Sequence, residues 1–502
     1  MSRGFLPGLA ALVLFAPGLA ACGPKKAPVV VEAPVPPPDP EAWRATQPAP
    51  GAEKPWSAPV ASRFELKNGI PVYLVEQGDL PLVSVQLVLG VGREANPVGK
   101  AGLLSLTASM LDEGTKTRDG ATIAADAAKL GAELGIQAGD ENVVVSLDAL
   151  TGPTFAPSLD LLADVVLRPA FDKKVFARVK SDVVAGILAA KSEPNEVARR
   201  LFGEQLWGAS HPYGLASIGT EKSVESLKVA DATRAYADQF HAGNATFVVA
   251  GKIDEATLKA ELEARFGTWK AGKGTRAAVA PPPPAPNTRI VFQEQPGAVQ
   301  SVLRVGSLAP ARNAPDYWKA QLATTLFGGM FGSRLNMALR EEKGWSYGAF
   351  AGIGDSRDYG VFQARTSVQA DKTAESVQVI FDELNAQAAR APTAAEMKLT
   401  ADSLVKSLPG NFETSGSTAR AFIQVPRFGL PADAWRSYGA NVAGVDAAAV
   451  ADASRALLGS GKLLVVVVGP RTIEVDVEGG GKKTVDVVAG LKALGQEFVE
   501  VK

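Results

Sequence analysis

The sequence predicts an α+β protein built from two homologous halves, and three observations carry that expectation. Hairpin-like and helix-like patterns alternate irregularly, without the regular strand-helix repeat of a parallel α/β fold. A proline stretch, Pro281-Pro282-Pro283-Pro284 with Pro286, splits the chain behind its N-terminal segment into parts of similar length, 63–272 and 288–498. One short motif also recurs, as Val229-Ala230-Asp231-Ala232-Thr233-Arg234 and as Val450-Ala451-Asp452-Ala453-Ser454-Arg455. Each copy precedes an apolar strand that ends in glycine, at Gly251 and at Gly469. The same motif at the same place near the end of both parts indicates duplication.

Size and charge agree with several domains and exclude one class of partner. A chain of 502 residues is too long for a single core. Lysine plus arginine number 52 against 53 acidic residues, so no basic field exists to hold a phosphate backbone and nucleic acid is not expected as a partner. Hydrophobic residues at 46% and charged residues at 21% are ordinary for a globular protein. Beyond the first twenty residues, no apolar run approaches the length needed to span a bilayer.

The N-terminus carries an address. Arg3 precedes an apolar stretch over 9–19, the pattern of a secretory signal. It ends in Leu19-Ala20-Ala21-Cys22-Gly23, which resembles the lipobox of bacterial lipoproteins. That resemblance implies cleavage of a signal peptide, 1–21, and acylation of Cys22. The alternative is a plain signal peptide that contains a cysteine. Cys22 is the chain's only cysteine, so with it lipidated no thiol remains for disulfides or cysteine-zinc sites. Each buried methylene of an acyl chain contributes about 0.8 kcal/mol of anchoring. Gly23 stands where an inner-membrane lipoprotein of some bacteria has aspartate, which points to the outer membrane of the cell envelope. Residues 22–62 are rich in proline and lack apolar periodicity, as expected of an unfolded tether. At about 3.1 Å per residue, the tether would reach on the order of 100 Å.

Within the first half, Phe64-Glu65-Leu66, the turn Asn68-Gly69 and residues 70–75 read as a hairpin. Residues 82–89 read as a strand. Residues 100–112 read as a helix with Leu103, Leu104, Ala108 and Leu111 on one face. After the linker, 273–287, helices are expected over 317–327 and 333–342, then strands over 345–353 and 360–368. Thr393 with Glu396 forms a capping box for a later helix. The run Leu463-Leu464-Val465-Val466-Val467-Val468 reads as a buried strand.

Several of these pieces resemble one family. Residues 99–115 (GKAGLLSLTASMLDEGT) resemble the segment of insulinase/pitrilysin zinc peptidases that carries the inverted zinc motif His-x-x-Glu-His. Ser210-His211-Pro212-Tyr213-Gly214 and Asn244-Ala245-Thr246 are similar to other family segments. So is Ser333-Arg334-Leu335, followed by Leu339-Arg340-Glu341-Glu342-Lys343-Gly344-Trp345-Ser346-Tyr347. The resemblance implies that each half is a pair of similar α+β units, and that the halves face each other as a clamshell around a peptide chamber.

The zinc motif itself is degenerate. It requires two histidines at i and i+4 on one helical face, with a glutamate between them as general base. In their place stand Ser105, Ala108 and Ser109. Neutral hydroxyls are poor zinc ligands and a methyl group cannot take a proton. Where the family's distal glutamate is expected, the chain reads Val184-Ala185-Gly186-Ile187. No metal site and no cofactor of its own are therefore expected. The two histidines of the chain, His211 and His241, read as structural residues, with a stray zinc pair as the alternative.

Other family features are retained. Arg340 and Tyr347 match the pair that holds substrate, where a guanidinium fork grips a carbonyl and a phenol polarises it. From the residues alone, Arg340 reads equally as a solvated helix residue beside Glu341 and Glu342, and Tyr347 as a core strand residue. Gly328 and Gly329 read either as a substrate-binding glycine loop or as a tight interhelix turn; no lysine follows, so they are not a phosphate loop. The resemblance thus implies a non-catalytic, substrate-binding subunit whose partner is a homologous subunit with an intact zinc motif. The alternative is a peptide-binding or scaffold pseudoenzyme with no role in hydrolysis.

Overall fold

Burial alternates along residues 143–150: Val143, Val145, Leu147 and Ala149 are buried, whereas Val144, Ser146 and Asp148 are only half-buried. A period of two is that of a strand with one face on a core. In the computed structural model, which describes residues 41–501 apart from positions 47, 50, 53, 273–278, 283–286, 458–461 and 478, such strands build two six-stranded sheets. The chain divides into two compact units, Met1–Pro55 and Trp56–Lys502. The described part of the first contains one 3-10 turn, Ala42–Ala45. Cys22 and the secretory segment lie outside the described residues.

The first sheet comprises β1 (Ser62–Glu65), β2 (Pro71–Glu76), β3 (Leu82–Leu89), β4 (Glu133–Ala138), β5 (Val143–Leu150) and β6 (Ala245–Gly251), in the order β1-β2-β6-β3-β5-β4. The second contains β7 (Arg289–Glu294), β8 (Gln300–Ala309), β9 (Ser346–Gly354), β10 (Gly360–Gln369) and β11 (Leu464–Gly469). A separate hairpin of β12 (Thr472–Asp476) and β13 (Lys482–Asp486) leads to β14 (Glu497–Val501), which completes the order β14-β7-β11-β8-β10-β9. Five strands correspond between the sheets in order and direction. β2–β6 and β7–β11 are parallel, and the remaining pairs among these five are antiparallel.

The sixth strand differs. β1 pairs antiparallel with β2 through the expected hairpin, whose Gly69 adopts φ 85°, whereas β14 comes from the C-terminus and pairs parallel with β7. β14 also crosses the boundary drawn at 498.

Eleven helices matter for the site: α1 (Leu103–Ala108), α2 (Phe155–Leu167), α3 (Lys173–Ala190), α4 (Pro194–Trp207), α5 (Val229–Gln239), α6 (Glu255–Phe266), α7 (Tyr317–Gly328), α8 (Thr373–Ala389), α9 (Ala394–Lys406), α10 (Ser415–Phe422) and α11 (Ala447–Leu457). The two motif copies lie in α5 and α11, each leading to the inner parallel strand of its sheet. Helices α2 and α6 cover the outer face of the first sheet, and α7 and α8 cover that of the second. The capping box of α9 forms as expected: Thr393 Oγ1 accepts from Glu396 N at 3.2 Å and Glu396 accepts from Thr393 N at 2.7 Å.

The inner faces are covered reciprocally. Val197, Ala198, Leu201 and Phe202 of α4, a first-half helix, pack on Val302, Val466 and Val468 of the second sheet. Ala419 and Phe422 of α10, a second-half helix, pack on Val88, Val248 and Ala250 of the first. The same cluster takes in Ala58 and Ala61. This corrects the expectation for the end of the tether: Ala58 and Ala61 are buried there, in one apolar cluster with Phe422 and Trp435.

A second correction concerns residues 100–112, where the helix is only Leu103–Ala108. It starts at Gly102, held at φ 88°, and ends in tight turns from Met110 N to Thr107 O and from Leu111 N to Ala108 O. Its apolar residues do not share one face. Leu104, Ala108 and Leu111 join the core under the first sheet, while Leu103, Leu106 and Met110 pack against Phe176 and Val179 of α3.

Candidate functional site

Helix α1 is fixed by backbone contact at its first residue. A side chain on Gly102 would meet Ile218 O at 2.4 Å, so the helix starts against the 218–219 turn. With both apolar flanks buried, the remaining face presents Ser105 and Ser109, one turn apart. Ser109 is exposed, Ser105 is half-buried and Ala108 is 1% exposed. The Ser109 hydroxyl donates to Ser105 O at 3.1 Å, which satisfies the helix end within the chain. On α3, Val184 is half-buried, Ala185 and Gly186 are exposed, and Ile187 is buried.

These groups do not fit a zinc ion. Two neutral hydroxyls, a methyl group and hydrocarbon side chains provide no ionised or imidazole donor. Among the described residues, no group of three or more His, Cys, Asp or Glu could hold a metal. His211 is occupied elsewhere. Its ring stacks on Trp207 at 4.9 Å, Nδ1 accepts from Tyr213 N at 3.0 Å, and Nε2 donates to Ala280 O at 2.9 Å. His241 is 5% exposed, and burial lowers its pKa.

The second-half residues sit on a built platform. Asn336 is fully buried; its amide donates to Phe331 O at 2.7 Å and its carbonyl accepts from Ala349 N at 3.1 Å. It therefore ties the glycine turn to β9. Arg334 reaches Glu396 on α9 at 2.5 Å. Between them the chain forms a π-helical turn, Met337–Glu342, in place of the expected α-helix. Such turns are frequent at functional sites. Arg340 lies in this turn with its guanidinium 4.7 Å over the Phe331 ring and its Nε 3.3 Å from Glu341. Tyr347, on β9, is 91% exposed, so it is not the core strand residue of the alternative reading.

Gly328 and Gly329 have a packing reason. A side chain on Gly328 would meet Ala351 N at 2.5 Å, and one on Gly329 would meet Thr325 Cα at 2.6 Å. The first glycine lets α7 close onto β9. The second permits the turn that follows.

A cavity of about 530 Å³, which no local sequence pattern announces, lies between α4 and strands β8–β10. Arg199, Arg304, Gln363 and Arg365 are among its lining residues. Glu141 also lines it; its side chain is fully buried and accepts from Tyr213 Oη, from Arg357 N at 3.0 Å and from Arg427 at 3.2 Å, joining the first half to the second. Burial, then the like charges of Arg365 and Arg199, push the Arg304 guanidinium below its ordinary value. The signal available in the sequence was an arginine inside the apolar run Val302-Leu303-Arg304-Val305.

Comparison with known proteins agrees with this geometry. Residues 72–217 match the family described as "Insulinase (Peptidase family M16)", and residues 226–404 match "Peptidase M16 inactive domain". An uncharacterized zinc protease of Mycobacterium leprae is 27% identical over 71% of this chain and 80% of its own. A non-peptidase homolog of Helicobacter pylori is 23% identical over 56% of this chain and 64% of its own. The crystal structure of a peptidase M16 inactive domain from Pseudomonas fluorescens superposes with TM-score 0.76 at 25% identity, covering 82% of this chain and 98% of that one. The two family matches span both halves and α1 lacks every metal donor: the chain belongs to the insulinase peptidase family, as a non-catalytic member without the inverted zinc motif.

Proposed function

We propose that this chain is the substrate-binding subunit of a heterodimeric zinc peptidase. Its partner is a homologous subunit with an intact inverted zinc motif that carries the metal, and Cys22 holds the pair at the cell envelope, on the outer membrane. One observation carries the reading. The zinc helix has lost every donor, while Arg340 and Tyr347 remain exposed on a platform built by Asn336, Arg334 and Glu396. An exposed fork of donors and an exposed phenol are groups that suit a peptide carbonyl. The relative named a non-peptidase homolog supports an inactive chain, and the relatives named zinc proteases support a family in which active chains exist.

The test is peptide turnover by the co-purified pair, with assembly followed by size-exclusion chromatography. Losing one preorganised donor to a developing oxyanion lowers the rate by on the order of 100- to 1000-fold. Arg340→Ala and Tyr347→Phe are each expected to do so while the pair still assembles. Full turnover in both variants would leave a second reading, a peptide-binding scaffold with no part in hydrolysis.

A further inference from the structure

Strands β8 and β10 pair with Arg304 directly opposite Arg365. Opposed residues on one sheet face stand about 5 Å apart at Cβ, and like charges there are destabilising. Among the described residues no acid forms an ion pair with either guanidinium; Glu196 acts on Arg304 through space alone. Arg304 is 8% exposed; it donates to Gln363 at 2.6 Å and to Asn195 O at 3.3 Å, while its Nε bonds nothing among the described residues. The exposed side chain of Arg365 makes no hydrogen bond or ion pair among the described residues. Arg199, across the cavity on α4, adds a third guanidinium, and Glu196 beside it already binds Arg199 at 2.7 Å. The acids lining the cavity are engaged too: Asp140 with Arg93, Glu141 with Arg427, and Asp355 with Tyr317.

The first half supplies an internal control. Gln86 on β3 faces Val248 as Arg304 on β8 faces Val466, and Gln86 opposes Ser146 where Arg304 opposes Arg365. The same sheet position is therefore filled by neutral side chains in the related half. The fold does not require the charges, and a local rule broken without a compensating partner marks function.

We propose that Arg304, Arg365 and Arg199 form a binding site for the carboxylates of an acidic peptide. The inference rests on the peptide-binding reading above and names the class of peptide. Guanidinium forks match a carboxylate in geometry as well as charge. A cavity of about 530 Å³ is in the range of ligand sites. It also runs beneath the edge strand β9, where Gly352 leaves open space for an extended chain.

The experiment uses the full-length protein and fluorescence anisotropy with a labelled glutamate-containing peptide and its glutamine counterpart. The acidic peptide is expected to bind about tenfold tighter, the equivalent of one charge-assisted hydrogen bond. Arg365→Ser and Arg304→Gln, the residue types that the first half uses, are each expected to remove that preference and leave binding of the glutamine peptide unchanged. Equal binding of the two peptides by the unmodified protein overturns the carboxylate site and leaves the peptide-binding reading standing. Binding of neither peptide overturns both. Competition by inorganic phosphate as strong as by the acidic peptide would show a site for free anions and sink the proposal. So would a lowered melting temperature in Arg365→Ser, since removing a like-charge neighbour from a ligand site costs no stability.

Discussion

Asp164 shows how one residue holds the segment behind α1. Its side chain is fully buried and accepts from Thr115 at 2.7 Å, Thr117 at 2.8 Å, Arg118 at 2.6 Å and Arg168 at 2.7 Å. Burial acts to raise its pKa, and the hydrogen bonds from Thr115, Arg168, Thr117 and Arg118 overcome that and bring it to about 2. A folded-state pKa below the ordinary carboxylate value stabilises the fold at higher pH. That contribution is complete above about 4 and is lost as pH falls towards 2. Asp164→Asn would leave the arginines facing a neutral amide and is expected to cost about 3 kcal/mol at pH 7. Urea unfolding at pH 7 and at pH 2.5 checks this. The gap between the two proteins should narrow at the lower pH, and equal stabilities at pH 7 would refute it. At this scale the sequence was legible where chemistry depends on residue type. Ser105, Ala108 and Ser109 could be read as non-ligands directly, whereas the Arg304–Arg365 pair exists only through strand register.

Among the elements, most strand limits followed from apolar patterning, and β3 spans residues 82–89 as read. The helix expected over 100–112 is shorter, because Gly102 and the turns after Ala108 bound it. The helix expected over 333–342 is mostly a π turn, closed by the five-residue bond from Lys343 N to Ala338 O at 3.2 Å, and Asn336 holds β9 beside it. Neither the turn nor the exchange of α4 and α10 is visible in periodicity, which reports that a helix has an apolar face but not which sheet receives it. Phe422 on α10 is 0% exposed and packs on the sheet of the other half. Phe422→Ala is expected to cost about 3–5 kcal/mol through the lost burial and the cavity left behind. Denaturant titration measures it, and a change below about 1 kcal/mol would mean that the helix does not close the first sheet.

Across the whole molecule, the reciprocal exchange makes each half depend on the other. Without the second half, residues 63–272 would expose Val197, Leu201 and Phe202 of α4 and also the inner face of the first sheet. Apolar surface of that extent marks an interaction or aggregation surface. Expressed alone, each half is expected to aggregate or to bind a hydrophobic dye. Co-expressed, the two are expected to form a soluble complex with native near-ultraviolet circular dichroism. Cooperative unfolding of either half as a monomer would contradict this. The Glu141 contacts to Tyr213, Arg357 and Arg427 reinforce the same dependence.

The sequence by itself determined the α+β class, the duplication and the lack of zinc ligands on α1. Each of these is written in residue types, local periods or repeated segments, which survive without knowledge of long-range pairing. Only the tertiary structure decided that the halves exchange helices and that Ala58 and Ala61 join the core. It also decided that Tyr347 stands in solvent and that Arg304 opposes Arg365. These depend on strand register and on which apolar face meets which, and contacts between residues far apart in the chain are set by the packing of the whole rather than by any segment.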